Sequence, residues 1–297
     1  MKLYIVDVFT EECFGGNPAG IVILPEGAGF PSDDVMVKTA AELRYSETAF
    51  IKRLGEKEFN IRYFTPAAEV ELCGHATIGS FYVLLKEGLI KAGDVCVNHT
   101  LAGELKVQVD NDAILMDMAE PKEVGEMTEQ AEIEALYKVM GISYLGNEDY
   151  NKDLNVKLIP KMVTTGLIDI MMPVKDEIEL DKINPDFPAL TELSKKYEVV
   201  GVHAFTVNTE DGCIHARNFA PLYDIDEEAA TGTSNGALTF YLYNMGIVKA
   251  NKLNNVIQGE KMLRPSKIST KLLMENGKPI VKVGGFAVTL VKGEIEI

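Results

Sequence analysis

Two short stretches of this chain combine reactive side chains with the pattern that begins a helix. The first, 71–79, is Glu-Leu-Cys-Gly-His-Ala-Thr-Ile-Gly. Apolar residues at 78, 81, 82 and 85 follow at helical spacing, so we expect a sharp turn at Gly74 and then a helix with one buried face. The start of a helix presents free N–H groups and the positive end of its dipole. Cys73 and His75 are therefore predicted to lie where an anion such as a carboxylate binds.

A second stretch later in the chain has the same form. Residues 230–236 are Ala-Thr-Gly-Thr-Ser-Asn-Gly, and an apolar run follows them. Thr231 occupies the place that Cys73 has in the first stretch, and the acidic Glu228 comes shortly before it. We expect a second helix N-terminus at Gly232, again suited to holding an anion.

The spacing of other residues indicates that the two stretches belong to a duplicated domain. Pro66 and Pro221 each end an Arg-x-Phe-x-Pro segment and are 221 − 66 = 155 positions apart. Phe50 and Phe205 are also separated by 205 − 50 = 155 positions. Chance agreement of short patterns is the alternative, but a shared order and one long period favour duplication. The two helix N-termini are then expected to face each other across a cleft between the domains, a common kind of ligand site.

Short apolar and alternating segments predict the strands and helices around these turns. Strands are expected at 4–9, 21–24, 46–51, 58–64, 94–99, 103–109, 113–118, 157–164, 168–173, 199–207, 213–219, 268–274, 279–283 and 286–291. Turns are expected at 110–112 and at Gly284-Gly285. Helices are expected at 31–43 and 190–197, and the acidic segment 123–140 is predicted to be mostly helical.

This order of elements favours an α+β fold of two similar domains. Each domain is predicted to be a mostly antiparallel sheet wrapped around a central helix. The N-terminal domain is expected at 1–120, with the return of 280–297 to it left open, and the C-terminal domain, duplicated from the first, at 121–279.

The composition limits the partners of the protein. Of its 297 residues, 46% are hydrophobic and 25% are charged, which is ordinary for a soluble globular protein. A formal net charge of −16 argues against nucleic acid or an anionic membrane surface as partner. Apolar runs are too short for a membrane span, and residues 1–9 predict a strand rather than a signal peptide. We therefore expect a cytoplasmic protein.

The cysteines predict neither a disulfide framework nor a metal site. Cys13, Cys73, Cys96 and Cys213 form no Cys-x-x-Cys pair, and the close Cys/His pairs lack a second pair at zinc spacing. The sequence also lacks Walker and G-x-G-x-x-G patterns. We expect free thiols, no metal and no organic cofactor.

A set of motifs resembles one known family. The motifs are Gly-Asn-Pro-Ala at 16–19, Ser-Glu-Thr-Ala-Phe at 46–50, Cys-Gly-His-Ala-Thr at 73–77, Ala-Thr-Gly-Thr at 230–233, Gln-Gly at 258–259 and Arg-Pro-Ser-Lys-Ile at 264–268. In this order they resemble the phenazine-biosynthesis PhzF-like family nearly from end to end. The resemblance implies the diaminopimelate epimerase-like fold. It also implies a cofactor-independent isomerase, usually a homodimer, that acts on a small carboxylated substrate.

The same resemblance implies roles for individual residues. Glu47 matches the acid/base glutamate of the family, which moves a proton by general acid–base catalysis. His75 matches the active-site histidine, and Glu228 matches the acid of the second motif. Glu47, His75 and Glu228 are therefore the predicted catalytic residues. Without the resemblance, Glu47 is interpreted as a strand-edge glutamate in water and His75 as a helix-capping core histidine.

The predicted substrate-binding residues belong to these motifs. They are Asn17, Cys73, Gly74, Ala76, Thr231, Gly232 and Thr233. The second motif departs from the family, which has aspartate, proline and then Ala-Thr-Gly-Ser. Here Glu228 is longer by one methylene, Ala229 replaces the proline and Thr233 replaces the serine. Glu228 keeps the acid and Thr233 keeps the hydroxyl. We therefore expect these departures to change the geometry of substrate binding rather than its chemistry.

Two other hypotheses use the same residues differently. Cys-Gly-His at 73–75 also resembles the first thiol motif of proline racemase and diaminopimelate epimerase, which place one cysteine on each face of the substrate carbon. The second thiol position falls at Thr231, and a hydroxyl without an evident activating base is a poor proton acceptor. In a carboxylate mechanism Cys73 is a small buried residue of the turn. The third hypothesis is a non-catalytic binding protein, because fold does not fix function.

Overall fold

The computed structural model describes residues 1–110, 113–146 and 156–297. The chain divides into two units, the first made of Met1–Asp117 and Gly284–Ile297, the second of Met118–Val283. The predicted turn at 110–112 includes positions 111 and 112, which lie outside the described residues. Across the described ranges no helix is both long and apolar enough to cross a membrane.

The elements alternate strands with a few helices. The strands are β1 (Lys2–Val8), β2 (Asn17–Ile23), β3 (Thr48–Arg53), β4 (Glu58–Phe64), β5 (Glu69–Val70), β6 (Val95–Thr100), β7 (Gly103–Val109), β8 (Ile114–Asp117), β9 (Lys122–Glu126), β10 (Lys161–Thr164), β11 (Ile168–Pro173), β12 (Gly201–Thr206), β13 (Ile214–Ala220), β14 (Ile225–Glu228), β15 (Leu253–Gln258), β16 (Ser266–Glu275), β17 (Lys278–Gly285) and β18 (Ala287–Glu294). The helices are α1 (Asp33–Leu43), α2 (Gly74–Lys86), α3 (Gln130–Val139), α4 (Glu177–Lys182), α5 (Phe187–Tyr197) and α6 (Gly232–Asn244).

The sheet of the first unit is mostly antiparallel. β1 lies between β18 and β2, β3 pairs with β4, and β6, β7 and β8 follow one another, all in antiparallel register. The pairs β2 with β3 and β4 with β6 are parallel. Parallel neighbours require a crossover connection. α1 supplies the first crossover and α2 the second, which places α2 inside the curve of the sheet.

The second unit repeats this pairing order. β9, β10 and β11 are antiparallel, β12 pairs with β13, and β15 pairs with β16. The parallel pairs are β11 with β12, connected through α4 and α5, and β13 with β15, connected through α6. These two sheets, each with its buried helix, confirm the predicted fold class of two similar α+β domains.

The central helix α2 is buried over more of its surface than the sequence predicts. The expected apolar face includes Tyr82 and Leu85, which are only half-buried, whereas every residue from 75 to 81 is buried, as are Val83 and Leu84. A helix enclosed by a curved sheet has little exposed face, so it is not amphipathic in the ordinary way. Small residues allow this enclosure. A Cβ at Gly79, for example, would lie 2.8 Å from a methyl of Val6.

One local prediction holds only in part, and another is wrong. The segment 123–140 is mostly helical, as predicted, because α3 covers Gln130–Val139, but it begins as β9, where backbone pairing with β10 overrides helix propensity. Gly284 and Gly285 belong to β17 and do not form a turn. A Cβ at Gly284 would lie 1.7 Å from the carbonyl oxygen of Ile114, so glycine is required by a close backbone approach.

The repeated Arg-x-Phe segments have the same structural role in both units. Arg62 donates two hydrogen bonds to the carboxylate of Glu69, at 2.7 and 2.6 Å. Arg217 donates two to Glu227, both at 2.8 Å. Each guanidinium also lies over the phenylalanine two residues later, 5.1 and 5.0 Å from the ring centre. This shared arrangement shows which residue of one unit corresponds to which residue of the other.

The aligned arginines show that one sequence match is off by a residue. Arg62 pairs across the sheet with Phe50, and Arg217 pairs with Ala204. The counterpart of Phe50 is therefore Ala204, at 204 − 50 = 154 positions, and not Phe205. Phe205 faces the opposite side of its strand and packs against α6. The two strands still hold the same place in their sheets.

Candidate active site

Glu47, Cys73 and His75 come together at the start of α2. Glu47 lies just before β3, and its carbonyl accepts a hydrogen bond from Gly20. Cys73 is the N-cap residue of α2 and has an extended backbone, and its thiol lies beside His75. Glu47 Oε2 lies 3.3 Å from His75 Nε2, and Cys73 Sγ lies 3.4 Å from His75 Nδ1.

The other predicted residues of the first motif surround this cluster. Asn17, at the start of β2, places its side-chain nitrogen 3.5 Å from His75 Nδ1. Gly74 is half-buried, whereas Ala76 is completely buried. The side chain of Cys73 makes no capping hydrogen bond to the backbone N–H groups of the first turn of α2. The first-turn N–H groups, which have no partner within their own helix, therefore belong to the same candidate site.

The electrostatics of the cluster favour a neutral histidine beside an available carboxylate oxygen. Burial lowers the pKa of His75, and the Glu47 carboxylate and the Pro18 carbonyl only partly oppose this effect. The imidazole is therefore neutral at neutral pH. Glu47 Oε2 is buried and accepts no hydrogen bond from any residue that the structure describes. Such an oxygen can accept a proton from a bound molecule without first breaking a hydrogen bond.

The second predicted set is assembled at the start of α6. Thr231 is the N-cap residue, and its hydroxyl donates a hydrogen bond of 2.6 Å to Glu228 Oε2. Gln258 donates to the carbonyl of Glu228 at 2.7 Å and to the hydroxyl of Thr231 at 3.0 Å. Gly232 is half-buried, and the carbonyl of Thr233 accepts a hydrogen bond from Thr165. The hydroxyl at the second thiol position thus has a carboxylate partner that the sequence did not reveal.

A buried chain of hydrogen bonds continues inward from Gln258. Asn235 donates to Gln258 Oε1 at 2.8 Å, and His203 Nε2 lies 3.2 Å from Asn235 Oδ1. Asn218 Nδ2 lies 3.1 Å from His203 Nδ1. Because an amide nitrogen can only donate, His203 Nδ1 must accept, and the ring proton lies on Nε2. The histidine is therefore held as one neutral tautomer.

The inner end of this chain is a buried carboxyl group. Asn218 also donates to Ser234 Oγ at 3.0 Å, and Ser234 donates to Asp169 Oδ2 at 2.5 Å. Burial raises the pKa of Asp169 to about 6, against the opposing effect of its hydrogen bonds from Ser234 and Gly201. Burial likewise lowers the pKa of His203 to about 4.

The first unit has no polar side chains at two corresponding positions. Strand pairing aligns Asp169 with Ala19 and His203 with Ala49. The fold can thus be built without these groups, which makes them candidates for a role in the second motif. Neither Asp169 nor His203 belongs to a motif that predicts the site. The available signal was one polar residue between apolar neighbours, in Ile-Asp-Ile at 168–170 and Val-His-Ala at 202–204.

The structure brings the predicted residues together in two groups, one per unit. The first unit joins Asn17, Glu47, Cys73, Gly74, His75 and Ala76, and the second joins Glu228, Thr231, Gly232 and Thr233. The structure joins no two of the four cysteines by a disulfide; Cys13 is exposed, Cys73 and Cys96 are buried, and Cys213 is half-buried.

A sheet wrapped around a central helix, twice in one chain, defines a fold shared with a probable proline racemase and with PhzF-family proteins. The solved structure of a probable proline racemase from Agrobacterium radiobacter matches with a TM-score of 0.61 over 100% of this chain and 93% of that one, at 13% identity. A PhzF-family phenazine biosynthesis protein from Bacillus anthracis gives a TM-score of 0.82 over 100% and 99% of the two chains, at 24% identity.

The chain belongs to the phenazine biosynthesis-like family, whose model matches residues 6–293. A relative named as an uncharacterized isomerase, from Clostridium acetobutylicum, is 34% identical over 309 residues, covering 99% of this chain and 97% of the relative. The match extends along nearly the whole chain, so it includes both groups of site residues. Membership of this family supports an isomerase or epimerase activity.

Proposed function

We propose that this protein is a cofactor-independent isomerase that moves a proton on a small carboxylated substrate, with Glu47 as the proton carrier. The observation that best supports this proposal is the buried Glu47 Oε2, which has no hydrogen-bond donor among the described residues and lies 3.3 Å from His75 Nε2. A general base needs a lone pair that no hydrogen bond already occupies.

The proposed step conserves atoms and electrons. Glu47 takes a proton from a carbon next to an unsaturated or carboxylated centre, and the electrons of the broken C–H bond move into that centre. The protonated Glu47 then returns the proton to another carbon of the same molecule. His75 contributes a neutral N–H that stabilises the negative charge that develops between these two steps.

The remaining predicted residues are assigned to substrate binding in the same proposal. The first-turn N–H groups at Gly74 and Gly232 supply positive charge for carboxylate groups. Glu228, fixed by the Thr231 hydroxyl and by Gln258, takes part in positioning the substrate. The homodimer implied by the family resemblance stays a prediction, which light scattering of the purified chain tests.

The test compares Glu47→Gln with Cys73→Ser. Each variant is incubated in D₂O with unsaturated and hydroxylated carboxylic acids, and NMR measures deuterium incorporation and isomerisation. Glu47→Gln keeps the shape but removes the basic oxygen, so it should lose roughly a hundred- to ten-thousand-fold in rate. Cys73→Ser should lose less than about tenfold in rate, because in this mechanism the thiol does not transfer the proton. Circular dichroism of both variants verifies that they are folded.

The same experiment separates the two alternative functions. The 3.4 Å contact of Cys73 Sγ with His75 Nδ1 favours a thiol mechanism, whereas the threonine at the second thiol position argues against it. An active Glu47→Gln beside an inactive Cys73→Ser would assign the chemistry to the thiol. Tight binding of an acid without any proton exchange would identify a binding protein.

A further inference from the structure

Glu47, Cys73 and His75 are also a set of side chains that zinc prefers. Thiolate sulfur, imidazole nitrogen and carboxylate oxygen are its usual protein ligands. One ligand atom from each residue lies within 4.8 Å of the other two. The sequence predicted no metal site, because Cys73 and His75 lack a second pair at zinc spacing. The third ligand, Glu47, comes from the residue just before β3, and no rule of local spacing connects it with Cys73 and His75.

The distances are close to those of a tetrahedral zinc site. Zinc bonds of about 2.1 Å to nitrogen and oxygen and about 2.3 Å to sulfur give tetrahedral edges of about 3.4 Å for N–O and about 3.6 Å for N–S. Around His75 Nε2 the corresponding distances are 3.3 Å to Glu47 Oε2 and 3.9 Å to Cys73 Sγ. The third pair of ligand atoms, from Glu47 and Cys73, also lies within 4.8 Å.

The charges of the three groups suit a divalent cation. A thiolate and a carboxylate together carry two negative charges, and an imidazole that binds a metal does so in its neutral form. A divalent cation makes the site neutral overall, which removes the cost of burying an unpaired charge. Glu47 Oε2 has no competing hydrogen bond to lose among the described residues.

We propose that Glu47, Cys73 and His75 bind one thiophilic divalent cation, such as zinc, reversibly, and that the bound cation inhibits the enzyme. The inhibition rests on the proposed function, because the cation would occupy the oxygen that carries the proton. Three protein ligands leave a fourth position for water. The second unit has Thr231 in place of Cys73 and Gly201 in place of Glu47, so one such site is expected per chain.

Binding is a proton exchange without any redox change. The Cys73 S–H bond breaks, the sulfur forms its bond to the cation, and the proton goes to solvent. The apparent affinity should therefore increase about tenfold for each unit of pH while the free thiol is protonated.

The test uses cobalt(II), which occupies tetrahedral zinc sites and is coloured. Titration of the full chain should produce a thiolate-to-cobalt charge-transfer band that saturates at one cobalt per chain and disappears when zinc is added. Cys73→Ser should abolish the band, and Glu47→Gln should weaken cobalt binding at least tenfold. Cys213→Ser is the matched control, since Cys213 also forms a Cys-x-His pair but lies outside the cluster. That control should behave as the wild type does.

The outcomes distinguish the site from the proposed function. A band that persists in Cys73→Ser, or one that disappears in Cys213→Ser, overturns the metal site, and this result needs no turnover. Zinc that binds at the site yet leaves proton exchange unchanged overturns the inhibition and also contradicts Glu47 as proton carrier. Inhibition of the wild type, relieved by a chelator and absent in Cys73→Ser, supports both.

Discussion

Asp169 shows how a single buried carboxyl group affects the stability of its unit. Burial raises its pKa from 3.8 to about 6, so between these values the folded state binds the proton more tightly than the unfolded state. The contribution of Asp169 to stability is therefore fully present at low pH. It is lost as the pH rises through about 6, because the charged carboxylate is poorly solvated inside the unit. His203, whose pKa falls to about 4, has the opposite effect and destabilises the fold as the pH falls.

The variant Asp169→Asn isolates the first of these effects. Above pH 6 it removes a buried charge, so we expect its free energy of unfolding, relative to the wild type, to rise by up to about 3 kcal/mol between pH 4 and pH 7. Urea unfolding at several pH values measures this difference. The exposed Asp181→Asn, in the same unit, should show a much smaller pH dependence. A difference that is flat with pH would show that Asp169 is not protonated more readily in the folded state.

At the scale of elements, the starts of helices could be predicted from local sequence patterns, whereas the pairing of strands could not. The start of α1 at Asp33 follows from the capping serine before it, and the starts of α2 and α6 follow from their Gly turns. Strand register does not follow from local pattern, because it depends on partners far away in the chain. The Phe50–Phe205 match failed for this reason. A one-residue shift moves a side chain to the other face of the sheet.

The same limit explains which candidate site residues could be predicted from the sequence. Glu47 and His75 were identified through a family resemblance, and their 3.3 Å contact required the structure. His203 and Asp169 were missed because their inward orientation depends on register. The hydrogen bonds of Gln258 to Glu228 and Thr231 join β15 to the start of α6, a contact that spacing alone does not predict.

The close packing of Gly284 in β17 predicts that this position does not tolerate a side chain. Gly284→Ala would place a Cβ 1.7 Å from the Ile114 carbonyl oxygen, and backbone cannot yield as a flexible side chain can. We expect a loss of stability of at least about 2 kcal/mol, measured by urea unfolding. Gly293→Ala is the control, because nothing lies within 4 Å of its Cβ position. Equal stability of the two variants would contradict the close approach that replaced the predicted turn.

At the scale of the whole molecule, the net charge opposes the proposed substrate. The chain carries 45 acidic and 29 basic residues, which gives the formal charge of −16. This field repels a carboxylate at long range, whereas the helix N-termini attract it only within about one helical turn. The two effects differ in range, so salt can separate them.

We expect kcat/KM for the carboxylic acid that exchanges protons most readily to increase with ionic strength. The Debye length falls from about 30 Å at 0.01 M to about 10 Å at 0.1 M, so salt screens the long-range repulsion more than the short-range attraction. A rise of roughly two- to fivefold in kcat/KM, with kcat unchanged, is the predicted result of steady-state assays across this range. The uncharged methyl ester of the same acid is the control and should bind equally well at both salt concentrations. A decrease in kcat/KM with salt would show that positive potential at the site extends well beyond the helix ends and dominates the approach of the substrate.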